Sequence, residues 1–308
     1  MPDAAPVTIT ESPLKSICSR ITRGFPTAGN KASARAISSP PHRLSRPFAR
    51  NAHMRGVSLV GTMETRLDGQ TAVVIGGTTG IGRAISEELH AAGASVVPTS
   101  RTETSVREAA EAVECDLVEP TDVTDADQVE VLFEAVAETY GDIDTLVNCA
   151  GYVPDAKPVP DVDDDEWATV LDVNLTGVFN AVRLAPSYLT GEHRSIVNVG
   201  SISEDTVMNG LGHYAASKAA VRTLGEYLAV EYADYDIRVN TVAPGYVETR
   251  QNRTELETPR IREAIHKGTP LSRYAERGEV ADTVVFLASP EASFVTGERI
   301  RIDGGFPL

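Results

Sequence analysis

The sequence predicts an α/β fold, a doubly wound parallel sheet of about seven strands with helices on both of its faces. Short apolar runs rich in Val and Ile alternate along the chain with longer segments whose apolar residues recur at helical spacing. Strands that alternate with helices of about ten residues or more indicate a parallel sheet, because a long crossover returns the chain to the same edge. No repeat at a fixed period competes with this interpretation.

The elements follow one another from residue 71 to residue 302. In the first predicted helix Ile81, Ile85 and Leu89 have helical spacing, and Gly93 ends the segment. A further strand is expected just before Asp122. The other strands are predicted at 71–75, 95–99, 145–148, 195–199, 237–242 and 299–302, and the helices at 80–92, 129–140, 166–184, 214–233 and 279–287.

Residues 1–62 differ in composition from everything that follows. They hold nine basic and two acidic residues, are rich in Ser, Arg, Ala and Pro, and show no sustained period. Such a segment suits an organelle transit peptide, a disordered arm, or non-native sequence from a start codon assigned too early. The sharp change in composition favours the last interpretation, with Met54 and Met63 as candidate true starts. We therefore place the domain at residues 63–308.

The rest of the chain is strongly acidic. The formal net charge is −16, and outside residues 1–62 there are 19 basic and 42 acidic residues, with lysine only at Lys157, Lys218 and Lys267. Such a charge argues against nucleic acid as the main partner, because phosphates attract basic surfaces. An acidic, lysine-poor surface is typical of proteins from salt-loving organisms, in which salt screens the self-repulsion. An ordinary acidic cytosolic enzyme is the alternative.

The composition also argues against several kinds of site. The three cysteines, Cys18, Cys115 and Cys149, form neither a disulfide framework nor a zinc motif, and the six histidines have no ligand spacing. We therefore predict no metal site, and the sparse cysteines fit a reducing cytoplasm. No apolar run approaches the roughly 18 residues that a membrane span requires, so no membrane partner is expected.

A glycine-rich turn follows the first strand and opens the first helix. It reads Gly-Gly-Thr-Thr-Gly-Ile-Gly over residues 76–82. Glycine tolerates positive φ and lets the backbone approach a pyrophosphate, while a helix N-terminus offers free N–H groups and the positive end of a dipole. With a strand before it and a helix after it, the turn predicts nucleotide binding. The expected contacts are Gly76, Thr78, Gly80, Ile81 and Gly82.

The residues after the second strand bear on the choice of cofactor. An acidic residue there would bind the adenosine ribose hydroxyls and repel a 2′-phosphate, but this strand is followed by Ser100 and Arg101. A guanidinium pairs well with a phosphate. The sequence therefore favours NADP(H), and NAD(H) is the alternative if Arg101 is only a solvated surface charge.

Tyr214 and Lys218 are the candidates for proton transfer. They lie four residues apart on a predicted helix, so their side chains share a face. A free phenol titrates near about 10, too high for ready proton exchange at neutral pH, and a neighbouring ammonium lowers that pKa. We expect Lys218 to lower the pKa of Tyr214, so that the tyrosine can serve as a general acid and base.

These motifs together resemble the short-chain dehydrogenase/reductase family. Ser201 lies thirteen residues before Tyr214, as in the family, and Asn174 stands where the family has its fourth catalytic residue. The Gly-x-x-x-Gly-x-Gly spacing is also similar, although Ile75 replaces the threonine that usually precedes it. The resemblance extends from about residue 67 to the C-terminus and includes Asp122-Val123, Asn148-Cys149-Ala150-Gly151, Pro244-Gly245-Tyr246-Val247-Glu248-Thr249 and the last strand.

The resemblance implies a single Rossmann-like domain and a role for each site residue. Tyr214 would transfer the proton at the substrate oxygen, and Ser201 would hydrogen-bond and orient that oxygen. Lys218 would bind the nicotinamide ribose, and Asn174 would hold a water that links it to solvent. Cys149, which replaces an asparagine of the family, is expected to be small and buried and not a nucleophile. Further cofactor contacts are implied at Ser100, Arg101, Asp122, Val123, Asn148, Ala150, Gly151, Pro244, Gly245, Val247 and Thr249, besides Tyr214 and Lys218.

The resemblance also ranks the functions. Reduction of a 3-oxoacyl thioester comes first, and oxidation of a sugar or polyol comes second. A catalytically silent nucleotide-binding regulator is the alternative from another class. Relatives are usually tetramers, which implies a homotetramer. Glu204, shortly after Ser201, would disfavour an acidic substrate if its side chain pointed inward.

Overall fold

A parallel sheet lies at the centre of the computed structural model, which describes residues 66–249 and 258–306. Its six strands are β1 (Thr71–Ile75), β2 (Ser95–Thr99), β3 (Thr145–Asn148), β4 (Ser195–Val199), β5 (Arg238–Pro244) and β6 (Arg299–Ile302). They are ordered β2-β1-β3-β4-β5-β6, and every neighbouring pair is parallel. The predictions for residues 1–62 fall outside the described residues.

Eight α-helices connect these strands within the described ranges. Two of them, Glu103–Ala112 and Pro259–Gly268, were not predicted from the sequence. The single helix predicted at 166–184 is divided by a π-helical turn at Asp172–Thr176. None of the described helices is long and apolar enough to cross a bilayer. The helices are α1 (Gly80–Ala91), α2 (Glu103–Ala112), α3 (Ala126–Tyr140), α4 (Asp164–Leu171), α5 (Gly177–Tyr188), α6 (Gly212–Glu231), α7 (Pro259–Gly268) and α8 (Arg277–Ala288).

The strand expected before Asp122 is absent, so the described sheet has six strands and not about seven. The chain does run beside β2 there, because Thr121 N donates to Ser100 O at 2.9 Å. Thr99 O accepts from Gly76 on the β1 side, and successive residues of a strand bond to opposite neighbours. Residue 98 therefore faces the outer edge of β2, where Pro98 has no N–H to donate. Pro120 in the adjacent segment has no N–H either, so a regular ladder of hydrogen bonds cannot form.

Helices cover the sheet on both faces. On one face α3, α5 and α6 pack around Phe133, which is fully buried and whose ring centroid lies 5.5 Å from that of Tyr188. On the other face α1 packs against α8, and Ile85, Leu89 and Leu287 are fully buried. Double burial explains why the strands are continuous apolar runs. The predicted doubly wound α/β fold is confirmed.

The parallel strands bring four loops to one edge of the sheet. Gly76 follows β1, Cys149 follows β3, Gly200 follows β4, and Gly245 follows β5 directly. Ligands of open parallel sheets bind outside the carboxyl ends of the strands. The sequence motifs that carry polar and glycine residues therefore converge at this edge.

Candidate active site

Tyr214 and Lys218 lie on the first two turns of α6, on the side that faces the end of β4. Lys218 is buried, and its Nζ donates to Val199 O at 2.8 Å. The same Nζ lies 5.9 Å from the centroid of the Tyr214 ring. The i, i+4 spacing therefore does place the phenol and the ammonium side by side at the carboxyl end of β4.

Ser201 is held as a hydrogen-bond donor next to this pair. It has extended backbone and begins the 3₁₀ turn Ile202–Glu204. Its Oγ accepts from Ser203 N at 3.1 Å and from Ser203 Oγ at 3.0 Å. A hydroxyl has two lone pairs and one proton, so with both lone pairs engaged the proton of Ser201 is left to donate. It is hydrogen-bonded to Tyr214.

The electrostatics of Tyr214 differ from the expectation. Burial raises its pKa to about 12, and the hydrogen bond with Ser201 acts in the opposite direction. Burial also lowers the pKa of Lys218. The expected lowering of the tyrosine pKa by Lys218 is not seen in this arrangement, because Nζ is bound to Val199 and the cost of burying a phenolate is the larger effect. The phenol is held in its protonated form at neutral pH.

Asn174 sits in the π-helical turn between α4 and α5 and is completely buried. Its Oδ1 accepts from Tyr152 N at 2.7 Å, and its Nδ2 donates to Tyr152 O at 3.0 Å. Nδ2 also lies 3.0 Å from Ser217 Oγ on α6. The side chain therefore ties the loop after β3 to the catalytic helix. π-helical turns inside α-helices often mark functional sites, and the periodicity of the sequence gave no sign of this one.

Replacing Asn174 by alanine is expected to lower kcat by about 10- to 100-fold and to cost about 1–3 kcal/mol of stability, because it removes the partners of Tyr152 N and Tyr152 O and the contact with Ser217. Steady-state kinetics and urea unfolding measure the two effects. Asn240→Ala is the matched control, because Asn240 on β5 is also buried and joins backbone groups, Val295 O and Glu298 N, and it should lose stability but keep the wild-type kcat. Full activity in Asn174→Ala would contradict a role for this side chain in positioning the site.

The glycine-rich turn passes very close to its neighbours. Gly76 has φ +82°, and a Cβ there would lie 2.4 Å from Ala150 N. Gly80 has φ +56°, and a Cβ on Gly82 would lie 2.0 Å from Gly76 O. The first-turn N–H groups of α1 at Gly80, Ile81 and Gly82 have no intrahelical acceptor. The turn therefore provides the close backbone approach and the free donors that a pyrophosphate needs.

Arg101, which follows Ser100 at the end of β2, is exposed. Within residues 66–249 and 258–306, no carboxylate lies within ion-pair distance of its guanidinium. Beside it, Thr78 Oγ1 donates to Ser100 Oγ at 2.9 Å, which joins the glycine-rich turn to the end of β2. These three side chains lie together at the carboxyl end of β2.

A narrow cleft opens between β1, β3 and α5. Val123, Asn148 and Ala150 are among its lining residues. Asn148 Nδ2 donates to Asn198 Oδ1 at 2.9 Å, and in the described part of the chain its Oδ1 is buried with no hydrogen-bond partner. Asp122 Oδ1 accepts from Thr124 N and so turns the backbone at the cleft. The cleft is too small to hold a nucleoside, and it places an open, buried acceptor at the end of β3.

The segment after β5 borders the same edge. Gly245 N donates to Ile302 O at 2.9 Å, which continues the β5–β6 pairing beyond Pro244. Val247 is buried, and Thr249 Cγ2 lies 3.9 Å from the position of a Cβ on Gly80. On the other side, a Cβ on Gly151 would lie 3.6 Å from Lys218 Nζ. The segment after β5 therefore approaches the glycine-rich turn at the same edge of the sheet that holds Lys218.

The thiol of Cys149 lies close to the glycine-rich turn, 3.2 Å from the position that a Cβ on Gly82 would take. Cys149 is half-buried, and desolvation raises the pKa of its thiol to about 11. The thiol therefore stays protonated, whereas a nucleophilic cysteine reacts as the thiolate. Among the described residues there is no cluster of three His, Cys, Asp or Glu side chains that could hold a metal ion.

Two titratable side chains near the site are buried. His213 precedes Tyr214 and is almost fully buried, with Nε2 3.7 Å from Glu166 Oε1. Glu204 does point inward, and its buried carboxylate pairs with Arg299 of β6. The closeness of Glu204 to Ser201 in the sequence indicated that it lies near the site. Its pairing with Arg299, 95 residues away, leaves no local pattern in the sequence.

Side chains that can move a proton stand at the edge of a parallel sheet whose first turn is shaped for a dinucleotide, the arrangement of a nicotinamide-dependent dehydrogenase or reductase. A family model described as enoyl-(acyl carrier protein) reductase matches residues 76–307. The chain belongs to the short-chain dehydrogenase/reductase family, and it is an oxidoreductase that interconverts a carbonyl and an alcohol.

Individual relatives cover nearly the whole domain. The 3-oxoacyl-[acyl-carrier-protein] reductase of Thermotoga maritima is 38% identical over 79% of this chain and 100% of its own length. The NADP-dependent (R)-specific alcohol dehydrogenase of Lentilactobacillus kefiri is 38% identical over 79% of this chain and 99% of its own. A solved short-chain dehydrogenase/reductase of Brucella melitensis, described as a glucose/ribitol dehydrogenase, has a TM-score of 0.75 and 34% identity, covering 80% of this chain and 100% of its own. The resemblance inferred from the motifs is confirmed.

Proposed function

We propose that this protein uses NADPH to reduce the keto group of a 3-oxoacyl thioester. The observation that carries the proposal is the hydrogen bond between Ser201 and Tyr214 beside Lys218, since two hydroxyl donors meet where a carbonyl oxygen would be bound. Support for the thioester comes from relatives such as the Thermotoga maritima enzyme, whose name specifies a 3-oxoacyl group on a carrier protein.

The residues of the site have distinct tasks in this reaction. Ser201 donates to the carbonyl oxygen and fixes its direction, because its lone pairs are held by Ser203. Tyr214 gives its proton to the same oxygen as negative charge develops there. The nicotinamide supplies the hydride when bound, and Lys218 would hold its ribose hydroxyls. Asn174 keeps the loop that carries Gly151 against α6.

The preference for NADP(H) is proposed from Arg101. We expect Arg101→Ala to raise the KM for NADPH by about 10- to 100-fold, the effect of losing a charge-assisted hydrogen bond, and to leave the KM for NADH unchanged. Arg107→Ala is the matched control, because Arg107 is also exposed but is paired with Glu103 on α2. A wild-type preference for NADH, or an unchanged KM for NADPH in Arg101→Ala, would show that Arg101 is only a surface charge.

The substrate class is tested by a panel assay at low and at high salt, since the acidic composition suits a salt-rich cytoplasm. Acetoacetyl-CoA is compared with sugar acids and polyols, each with both nicotinamide cofactors. Turnover of the thioester supports the proposal, and no turnover of any thioester ends it. Activity that is higher in salt would support a halophilic origin.

A sugar or polyol dehydrogenase is the second candidate, and the structural similarity to the Brucella melitensis protein described as a glucose/ribitol dehydrogenase favours it. Oxidation of a polyol in the same panel would select it. A catalytically silent nucleotide-binding regulator would bind NADPH and turn over nothing in the panel. The complete set of Ser201, Tyr214 and Lys218 supports an enzyme over this third role.

We also propose that the protein is a cytoplasmic homotetramer. Phe179 on α5, together with Tyr227 and Val230 on α6, leaves an exposed apolar surface on two neighbouring helices. Phe294 is fully exposed at the other end of the sheet, before β6. Two separate apolar faces suit an assembly with two kinds of interface. Light scattering after size-exclusion chromatography measures the mass directly, and a monomer or dimer would contradict the proposal.

A further inference from the structure

A buried ion pair lies directly behind the residues that act on the substrate. Glu204 is the last residue of the 3₁₀ turn that Ser201 begins, and its side chain is fully buried. One carboxylate oxygen accepts from Arg299 Nε on β6. The two terminal nitrogens of Arg299 bind Asp205 at 2.7 and 3.1 Å. One guanidinium therefore holds both acidic residues at the end of the turn.

This arrangement fixes the turn from behind. The backbone connects Gly200 to β5 by a hydrogen bond from Gly200 N to Val242 O at 2.8 Å. Glu204 Oε2 lies 3.3 Å from the position that a Cβ on Gly200 would take, so the carboxylate packs under the residue that precedes Ser201. Arg299 then links the turn to β6, across 95 residues of sequence. The position of Ser201 thus depends on β5 at one side and on β6 at the other.

The charge of Glu204 also acts on the proton donor. Several charged and titratable groups face Glu204. They are Arg299 on β6, Asp205 next to Glu204 in sequence, and Arg222, Tyr214 and Lys218 on α6. Burial raises the pKa of Glu204, and its bond to Arg299 opposes that effect. The negative charge of Glu204 raises the pKa of Tyr214 and of Lys218. Glu204 therefore stabilises the neutral phenol and the charged ammonium.

We infer that Glu204 is a positioning residue for the carbonyl–alcohol reaction: together with Arg299 it holds the turn that begins at Ser201 in place behind the residues that act on the substrate. The inference rests on the reduction reaction of the proposed function, but not on the thioester. A different carbonyl substrate would leave it intact, so the two can fail separately.

Three variants separate the positioning of the turn from the effect of the charge of Glu204. Glu204→Gln keeps an acceptor for Arg299 Nε and removes only the charge. Glu204→Ala removes both. Asp205→Asn is the matched control, because it removes one negative charge from the same guanidinium at a more exposed position. All three are compared with the full-length wild type in NADPH oxidation with ethyl acetoacetate, and with the best carbonyl of the substrate panel.

We expect Glu204→Gln to shift the alkaline limb of the pH profile of kcat for reduction to lower pH, because the phenol loses its proton more easily without the nearby carboxylate. Asp205→Asn is expected to keep the wild-type profile. In Glu204→Ala kcat should fall by about tenfold or more, with the KM for NADPH unchanged. Superposition of the Glu204→Gln and wild-type profiles would overturn the electrostatic part.

The positioning part has a readout that needs no substrate. Amide hydrogen exchange of residues 200–206 is expected to be at least about tenfold faster in Glu204→Ala than in wild type, and close to wild type in Glu204→Gln. Arg299→Ala should resemble Glu204→Ala, and melting curves show that each variant is folded at the temperature of the exchange. Unchanged exchange in folded Glu204→Ala would overturn the positioning role.

Discussion

Replacing Tyr214 by phenylalanine is expected to lower kcat by about 10³-fold while leaving the KM for NADPH within about twofold of wild type. The ring of Tyr214 remains in Tyr214→Phe, so the packing at the start of α6 is retained. Only the hydroxyl that meets Ser201 is removed. Without it, the negative charge that develops on the carbonyl oxygen has no proton donor, and the donated hydrogen bond of Ser201 alone cannot neutralise it.

The control for this variant is a second tyrosine of the same helix region. Tyr232 is buried at the end of α6, and its hydroxyl donates to Val182 O at 2.7 Å. Tyr232→Phe should lose about 1 kcal/mol of stability, as for a buried hydrogen bond, and should keep the wild-type rate. Chemical denaturation and single-turnover kinetics measure the two quantities. A Tyr214→Phe enzyme that retains more than about a tenth of the wild-type rate would show that another group delivers the proton.

The direction of the pH dependence follows from the same residue. Reduction consumes the protonated phenol. The rate of reduction is therefore at its full value below the pKa of Tyr214 and decreases as the pH rises through that pKa. Because burial raises that pKa to about 12, the loss belongs on the alkaline side of neutrality. Oxidation needs the phenolate and has the opposite dependence, so it should be favoured at high pH. If the reduction rate already decreased with rising pH while the pH was still below neutral, this assignment would be wrong.

Most of the fold was predictable because its strands are buried on both faces. The runs predicted at 71–75 and 195–199 are strands with those bounds, since short continuous apolar runs between turns are typical of strands that are buried on both faces. The strand expected before Asp122 was wrong for a reason that is also in the sequence, namely that Pro98 and Pro120 remove donors from the outer edge of β2. Their consequence depended on which side of β2 each N–H would face.

The site was predictable where its chemistry is local in sequence. Tyr214 and Lys218 are one helical turn apart, and residues 76–82 form one turn. The remaining features depend on contacts between distant segments. Ser203 supports Ser201 through a backbone geometry that periodicity does not encode, and Arg299 reaches Glu204 from the last strand. The pKa of Tyr214 also depended on burial, which outweighs the effect expected from spacing alone.

Gly82 is the position where the smallest substitution should have a very large effect. A Cβ added there would lie 2.0 Å from Gly76 O and 2.9 Å from Gly76 C, both backbone atoms that cannot rotate away. Gly76 is itself confined, because its own Cβ position lies 2.4 Å from Ala150 N. The turn, the start of α1 and the loop after β3 are therefore in mutual backbone contact. Alanine at Gly82 must displace the turn from the end of β1.

We expect Gly82→Ala to weaken NADPH binding by at least about tenfold and to cost about 1–3 kcal/mol of stability, since overpacking displaces backbone and the first-turn N–H groups lose their alignment. Fluorescence titration with NADPH and urea unfolding measure the two effects. Gly278→Ala is the matched control, because Gly278 lies in the first turn of α8 with open space at its Cβ position. That change should be neutral or slightly stabilising through helix propensity. Equal NADPH affinity in the two variants would mean that the nucleotide is not bound at the turn, and the cofactor groove would then have to be sought elsewhere along the edge of the sheet.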